Sequence, residues 1–196
     1  MNTITGISTE AIQSVADGWK SDIITMGYHA ANRQWFTPLI DAWLDAIEGN
    51  AHTNDNWKAG LLAVLRDSKS IRDALLLSVI DSRLTRDMLL GVAADPHTPE
   101  TRELVGRTLT NGFENPDAKP DCERFARAFL TLIDLSAASD EPEYESQPLA
   151  AAAWLAWWAG DKDAGMLASA ALAIDEENSL ATLVLAAGNR HPAYLG

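Results

Sequence analysis

Two Thr-Pro pairs, Thr37-Pro38 and Thr98-Pro99, stand at the head of runs whose apolar residues recur at helical spacing. In each pair the threonine hydroxyl can accept an orphan N–H, and proline, which has none, takes the first helical position. The first run carries Leu39, Trp43 and Ile47 with Ile40 and Leu44, and Gly49 stops it. The second passes Glu100 and Glu103, then Leu104, Val105 and Leu109, and closes at Asn111-Gly112. No alternating run of branched residues lies between tight hairpin turns, so nothing in the sequence calls for a sheet. The chain reads as all-α.

The remaining segments fit the same class. Ser8 can cap a first short helix running toward Asp17-Gly18, and 19–34 is a second segment. Asp55 can cap a helix carrying Trp57, Leu61, Leu62 and Leu65, and Ser70 with Asp73 resembles a capping box. Asn115-Pro116 to Lys119-Pro120 is a loop, after which Asp121 opens a helix with Phe125, Phe129, Leu132 and Ile133 on one face. The run from Ile71 to Leu76 is echoed from Thr85 to Leu90, each with an Arg-Asp pair. In one continuous helix the 14-residue offset, close to four turns, would put both pairs on one face. In two separate helices each Asp would sit near an N-terminus, where it favours the dipole. The expected organisation is a helical bundle region over 1–136, an acidic linker over 137–147, a hairpin plus final helix over 148–188, and a tail over 189–196, with 148–188 packed on the preceding helices as one domain.

Charge removes some function classes and suggests others. The net charge of −13 and a pI near 4.5 leave no basic footprint for nucleic acid. Residues 99–196 carry 7 Lys/Arg against 16 Asp/Glu, whereas residues 1–98 carry 8 against 12. Between Asp134 and Glu177 stand ten acids and the single cation Lys162, centred on Asp140, Glu141, Glu143 and Glu145. That patch could attract a basic partner. The single cysteine excludes a disulfide framework, and Cys122, between Asp121 and Glu123, reads as an inert, partly buried thiol. The N-terminus shows no signal peptide and no apolar run is long enough to span a membrane, so the expected location is cytoplasmic.

The last third is the most distinctive part. Pro148 can start a helix holding Trp154, Trp157 and Trp158, and Gly160-Asp161 breaks it and caps the next. That next helix is rich in alanine, with small residues at Ala164, Gly165, Ala168 and Ala171 that allow close approach. Asp175-Glu176-Glu177-Asn178 turns the chain, and Ser179 can cap a final helix from Leu180 to Ala187. An aromatic first helix, a Gly-Asp turn and an Ala-rich second helix make a tetratricopeptide-like unit. The fold expectation is therefore stacked antiparallel helical hairpins, bundle-like or α-solenoid-like, ending in that unit.

The stretch Ala153-Trp154-Leu155-Ala156-Trp157-Trp158-Ala159-Gly160-Asp161, followed by Ala170 to Asp175 and Ser179-Leu180-Ala181, resembles the closing signature of the actinobacterial domain of unknown function 4192 family. Trp57, Leu61, Leu62, Leu65, Asp67, Arg72 and Asp73 resemble the middle of that family. The resemblance spans about residues 55–187, the C-terminal half of longer members. It departs at Glu176-Glu177-Asn178, where the family tends to have proline and an aromatic residue. It implies an all-α, cytoplasmic protein and no particular activity, and gives Asp67, Arg72 and Asp73 a structural role.

No linear motif supplies chemistry. His29, His52, His97 and His191 stand in no metal-ligand spacing, and neither a phosphate-binding glycine loop nor a nucleophile elbow occurs. No catalytic residue, metal or cofactor is assigned. The leading expectation is a non-enzymatic helical interaction or scaffold module for a protein or peptide partner, a basic one suiting its acidic surface. Trp154, Trp157, Trp158 and Asp161 would mark the groove, though tryptophans at this spacing also suit a core. Two alternatives are an enzyme assembled from scattered groups such as Asp67, Arg72, Asp73 and His97, and a structural half of a larger protein whose missing N-terminal portion carries the function. The oligomeric state stays open between monomer and homodimer.

Overall fold

The computed structural model describes residues 6–50, 54–188, 190 and 192–195; His52 and His191 lie outside them. Among the described residues the chain forms α1 (Thr9–Met26), α2 (Tyr28–Glu48), α3 (Asp55–Asp67), α4 (Lys69–Ile80), α5 (Arg86–Ala94), α6 (Pro99–Glu114), α7 (Cys122–Ser136), α8 (Ser146–Trp158), α9 (Ala164–Ile174) and α10 (Ser179–Ala187). Two single 3-10 turns, Pro142–Tyr144 and Ala193–Leu195, complete it, and no strand occurs among these residues. The all-α class holds.

Several helix ends follow local chemistry. Ser8 accepts the Ala11 N–H at 3.3 Å, and Thr98 accepts the Thr101 N–H at 3.2 Å. Asp121 takes two donors, Glu123 N–H at 3.0 Å and Arg124 N–H at 3.1 Å. Several expected ends move. Asn54, one residue before Asp55, caps α3, and buried Asn178, one residue before Ser179, caps α10 by accepting from Leu180 and Ala181. The Ser70–Asp73 capping box does not form: Ser70 donates to the Ala93 carbonyl at 2.6 Å, and Asp73 turns to Arg72. The helix expected to open at Pro148 already opens at Ser146.

The larger correction concerns Thr37-Pro38, which starts nothing. Both lie inside α2, and the Thr37 hydroxyl donates back to the Arg33 carbonyl at 2.6 Å. Ala31, Phe36, Leu39, Ile40, Trp43 and Ile47 form one buried stripe at helical spacing, and breaking the helix at residue 38 would turn half of that stripe away from the core. The real break comes earlier, at Gly27, whose φ of 89° ends α1. Gly18 and Gly112, expected near helix ends, sit inside α1 and α6 instead.

The core is organised around α8. Every residue from Pro148 to Trp158 is buried, as expected of a helix that is apolar on all sides. It packs against α7, α9 and α10 and touches α3 and α4. The α8–α9 hairpin turns at Gly160, whose φ is 77°, with Asp161 N–H donating to the Ala156 carbonyl at 2.8 Å; that closure needs a left-handed residue, which glycine supplies cheaply. Asn178 Nδ2 donates to Ser146 Oγ at 2.8 Å, and Ser146 Oγ donates to the Ala171 carbonyl at 3.0 Å. One buried chain of hydrogen bonds thus ties the starts of α8 and α10 to α9.

Five indoles bond across the molecule. Trp19 donates to Asn32 (2.9 Å), Trp35 to Asp22 (2.8 Å), Trp43 to Ser78 (2.9 Å), Trp57 to the Leu39 carbonyl (3.0 Å) and Trp158 to the Gly112 carbonyl (3.2 Å). Each links two different helices. Tryptophan suits this because it buries a large apolar body while its N–H keeps a partner.

Within the acidic segment 137–147, Asp140, Glu141 and Glu143 face solvent while Tyr144 and Ser146 are buried. Tyr144 is buried beneath the Arg66 guanidinium, 5.4 Å from its ring centre, and Arg66 pairs with Glu143 at 2.8 Å. Ile7 N–H reaches the Ala138 carbonyl at 2.7 Å.

Candidate functional site

Four helices leave one apolar pocket of about 230 Å³ between them. Helix α4 contributes Leu76, Leu77 and Ile80, and α6 contributes Val105 and Leu109. Trp154 of α8 and Leu180 and Leu183 of α10 complete the apolar wall. Leu183 is half exposed at the rim, while Leu180 is buried.

The ionisable groups lining this pocket are Arg72 and Asp73. The Arg72 side chain is 8% exposed and that of Asp73 is 49% exposed. Arg72 Nε and Nη2 both donate to one carboxylate oxygen of Asp73, at 3.0 and 2.7 Å, and Nη1 reaches Gln147 Oε1 at 3.4 Å. A buried guanidinium needs such a counter-charge, because leaving it unpaired would cost several kcal/mol, about 3–5 in typical cases. The pair closes one end of the pocket against α8.

The other residues singled out from the sequence are scattered. Trp158 is fully buried and Trp154 and Trp157 nearly so, which makes them core rather than exposed anchors; of the three, Trp154 shows an edge to the pocket. Trp157 lies beside Phe113 with ring centres 5.6 Å apart and planes tilted by 32°, and its buried N–H has no hydrogen-bond partner. Asp161 is exposed and accepts the Asp163 N–H at 2.9 Å, so it shapes the α8–α9 turn. Asp140, Glu141 and Glu143 are exposed and Glu145 is half-buried.

Asp67 lies on a different contact, paired with Lys20 of α1 at 2.6 Å. His97 is exposed in the turn between α5 and α6. Neither lines the pocket that Arg72 and Asp73 line, so the scattered catalytic set does not come together there. Cys122 is exposed rather than partly buried, at the first residue of α7. Among the described residues no group of three or more His, Cys, Asp or Glu side chains is arranged to hold a metal ion, and no helix is long and apolar enough to cross a membrane.

Of the pocket's apolar residues only Trp154 is marked as a site residue by the sequence. Each sits in an ordinary helical stripe, and together they come from four helices spread between residues 76 and 183, so only tertiary packing reveals that they share a wall. Comparison with known proteins adds no relative: no family model, no curated protein and no solved structure matches the chain.

Proposed function

We propose that this chain is a non-enzymatic helical interaction module, a cytoplasmic scaffold that takes a protein or peptide segment on the face formed by α4, α6, α8 and α10. One observation carries the reading: the pocket on that face is walled by apolar side chains, and the two ionisable groups in it neutralise each other. General acid–base work needs a group free to gain or lose a proton at the reacting atom, and a mutually bonded Arg-Asp pair is poorly suited to that. An apolar recess with a half-exposed leucine at its rim has the character of a binding site. The resemblance to the actinobacterial family of unknown function 4192 belongs to the same reading and adds no activity.

Photo-crosslinking in cells tests it. A crosslinking residue placed at Leu183 is expected to give discrete protein adducts that are missing when it is placed at Leu130, an exposed position on α7. Equal adducts from both positions, or none from Leu183, would overturn the assignment.

A further inference from the structure

The pocket's size and the charges beside it narrow what it takes. At about 230 Å³ it falls below the roughly 300–1,000 Å³ typical of sites that enclose a cofactor or drug-sized ligand. It exceeds the roughly 150 Å³ that holds a benzene ring. The space therefore suits one large apolar side chain presented by a longer segment, in the manner of a helix or peptide anchored in a groove.

Charge then selects the segment. Three helix starts meet at the Arg72 end: Gln147 of α8 reaches Arg72, Asn178 before α10 bonds Ser146, and Lys69 of α4 reaches Ser179 at 3.3 Å. Asp73 adjoins Arg72, Glu145 directly precedes Ser146, and Asp175, Glu176 and Glu177 directly precede Asn178, with Glu176 and Glu177 exposed. Arg72 is neutralised by Asp73, so Glu145, Asp175, Glu176 and Glu177 are set against the single cation Lys69. At the far end Asp81 is held by Arg83, and Arg107 lies near enough to Asp81 to help depress its carboxyl's pKa. The pocket wall itself carries only the paired Arg72 and Asp73, and the unpaired acids stand beyond it, next to the starts of α8 and α10. A second copy of this chain is a poor occupant, because it would bring another net −13 against the first.

We infer that the α4–α6–α8–α10 pocket is the anchor site for a large apolar side chain on a lysine- or arginine-bearing segment of another protein, whose cations lie along the Glu145–Glu176–Glu177 end. This rests on the interaction-module reading and specifies its ligand. The apolar side chain supplies the contact area, while the acids set orientation and approach, so binding weakens as salt screens them.

The test is a random-peptide display library selected on the intact chain. Enriched peptides are expected to carry a large apolar residue flanked by Lys or Arg. They should bind a Leu183→Asp variant roughly tenfold or more weakly, as for loss of an anchor contact, and a Glu176→Lys, Glu177→Lys variant more weakly with a flatter salt dependence. Both substitutions lie at exposed positions, and circular dichroism with thermal melting checks that each variant stays folded. Enriched peptides indifferent to Leu183 would overturn the pocket and the face assigned to it, while leaving a peptide-binding module standing on another surface. Peptides dependent on Leu183 but acidic or uncharged would overturn the choice of partner. A selection that enriches nothing would count against both.

Discussion

The indole N–H of Trp158 donates to the backbone carbonyl of Gly112 at 3.2 Å, joining α8 to α6 inside the core. The approach depends on the missing side chain: a Cβ at Gly112 would lie 2.5 Å from Ile80 Cγ2 and 3.8 Å from the indole nitrogen itself. Because Ile80 also lines the pocket, the same contact positions the α4 and α6 walls. A glycine that resembles a helix stop in the sequence is thus a packing site.

Gly112→Ala should therefore destabilise the protein by about 1–3 kcal/mol, the usual cost of forcing extra volume into a packed core. Gly106 lies in the same helix with nothing within 4 Å of its would-be Cβ. Gly106→Ala should instead stabilise by about 0.4–1 kcal/mol, since alanine narrows the unfolded ensemble and suits a helix better. Urea melts of the two variants should move in opposite directions.

Pro38 lies in the interior of α2 and is exposed. It has no N–H to offer the Gln34 carbonyl, and an interior proline commonly costs a helix ~3 kcal/mol. Because Pro38 faces solvent, Pro38→Ala should leave the core unchanged and restore the missing bond. It is expected to raise the thermal midpoint and add ~1–3 kcal/mol of stability. A lower midpoint would show that the proline fixes a bend the core requires.

Tyr194 donates its hydroxyl to the Trp158 carbonyl and sets its ring at 69° to that indole, 5.8 Å between centres. Burial pushes its pKa from 10.0 up to about 12. A folded pKa above the unfolded one means that the native state holds its proton after the unfolded chain has lost it. Its contribution is then full below pH 10.0, falls as the pH rises through the window, and is lost above about 12. Denaturant melts across that window should show stability falling more steeply in the native sequence than in Tyr194→Phe.

Some of this was legible in the sequence because its causes are local. Ser8, Thr98 and Asp121 cap where their residue types say they should, since a cap needs only the next three residues. Thr37-Pro38 carries the same local signal as Thr98-Pro99, yet a buried stripe from Ala31 to Ile47 overrides it. The tryptophans illustrate the limit for the site. Their spacing marks an apolar face but not what covers it, and in the folded chain α6, α7, α9 and α10 enclose that helix. The pocket joins residues as distant as Leu76 and Leu183, and no periodicity connects them. Arg72 and Asp73 were visible as a pair, whereas their position at the pocket's end depends on Gln147 arriving from α8.

Methyl-resolved NMR of the intact chain, titrated with a lysine-flanked leucine peptide, tests most directly whether this face is the binding site. Shifts are expected at Val105, Leu109, Leu180 and Leu183, fading as salt is added, while the deeply buried Leu61 and Ile71 stay in place. Shifts confined to another surface, such as the exposed Ile24 and Met26 beside Gly27, or none at the four pocket residues, would refute it.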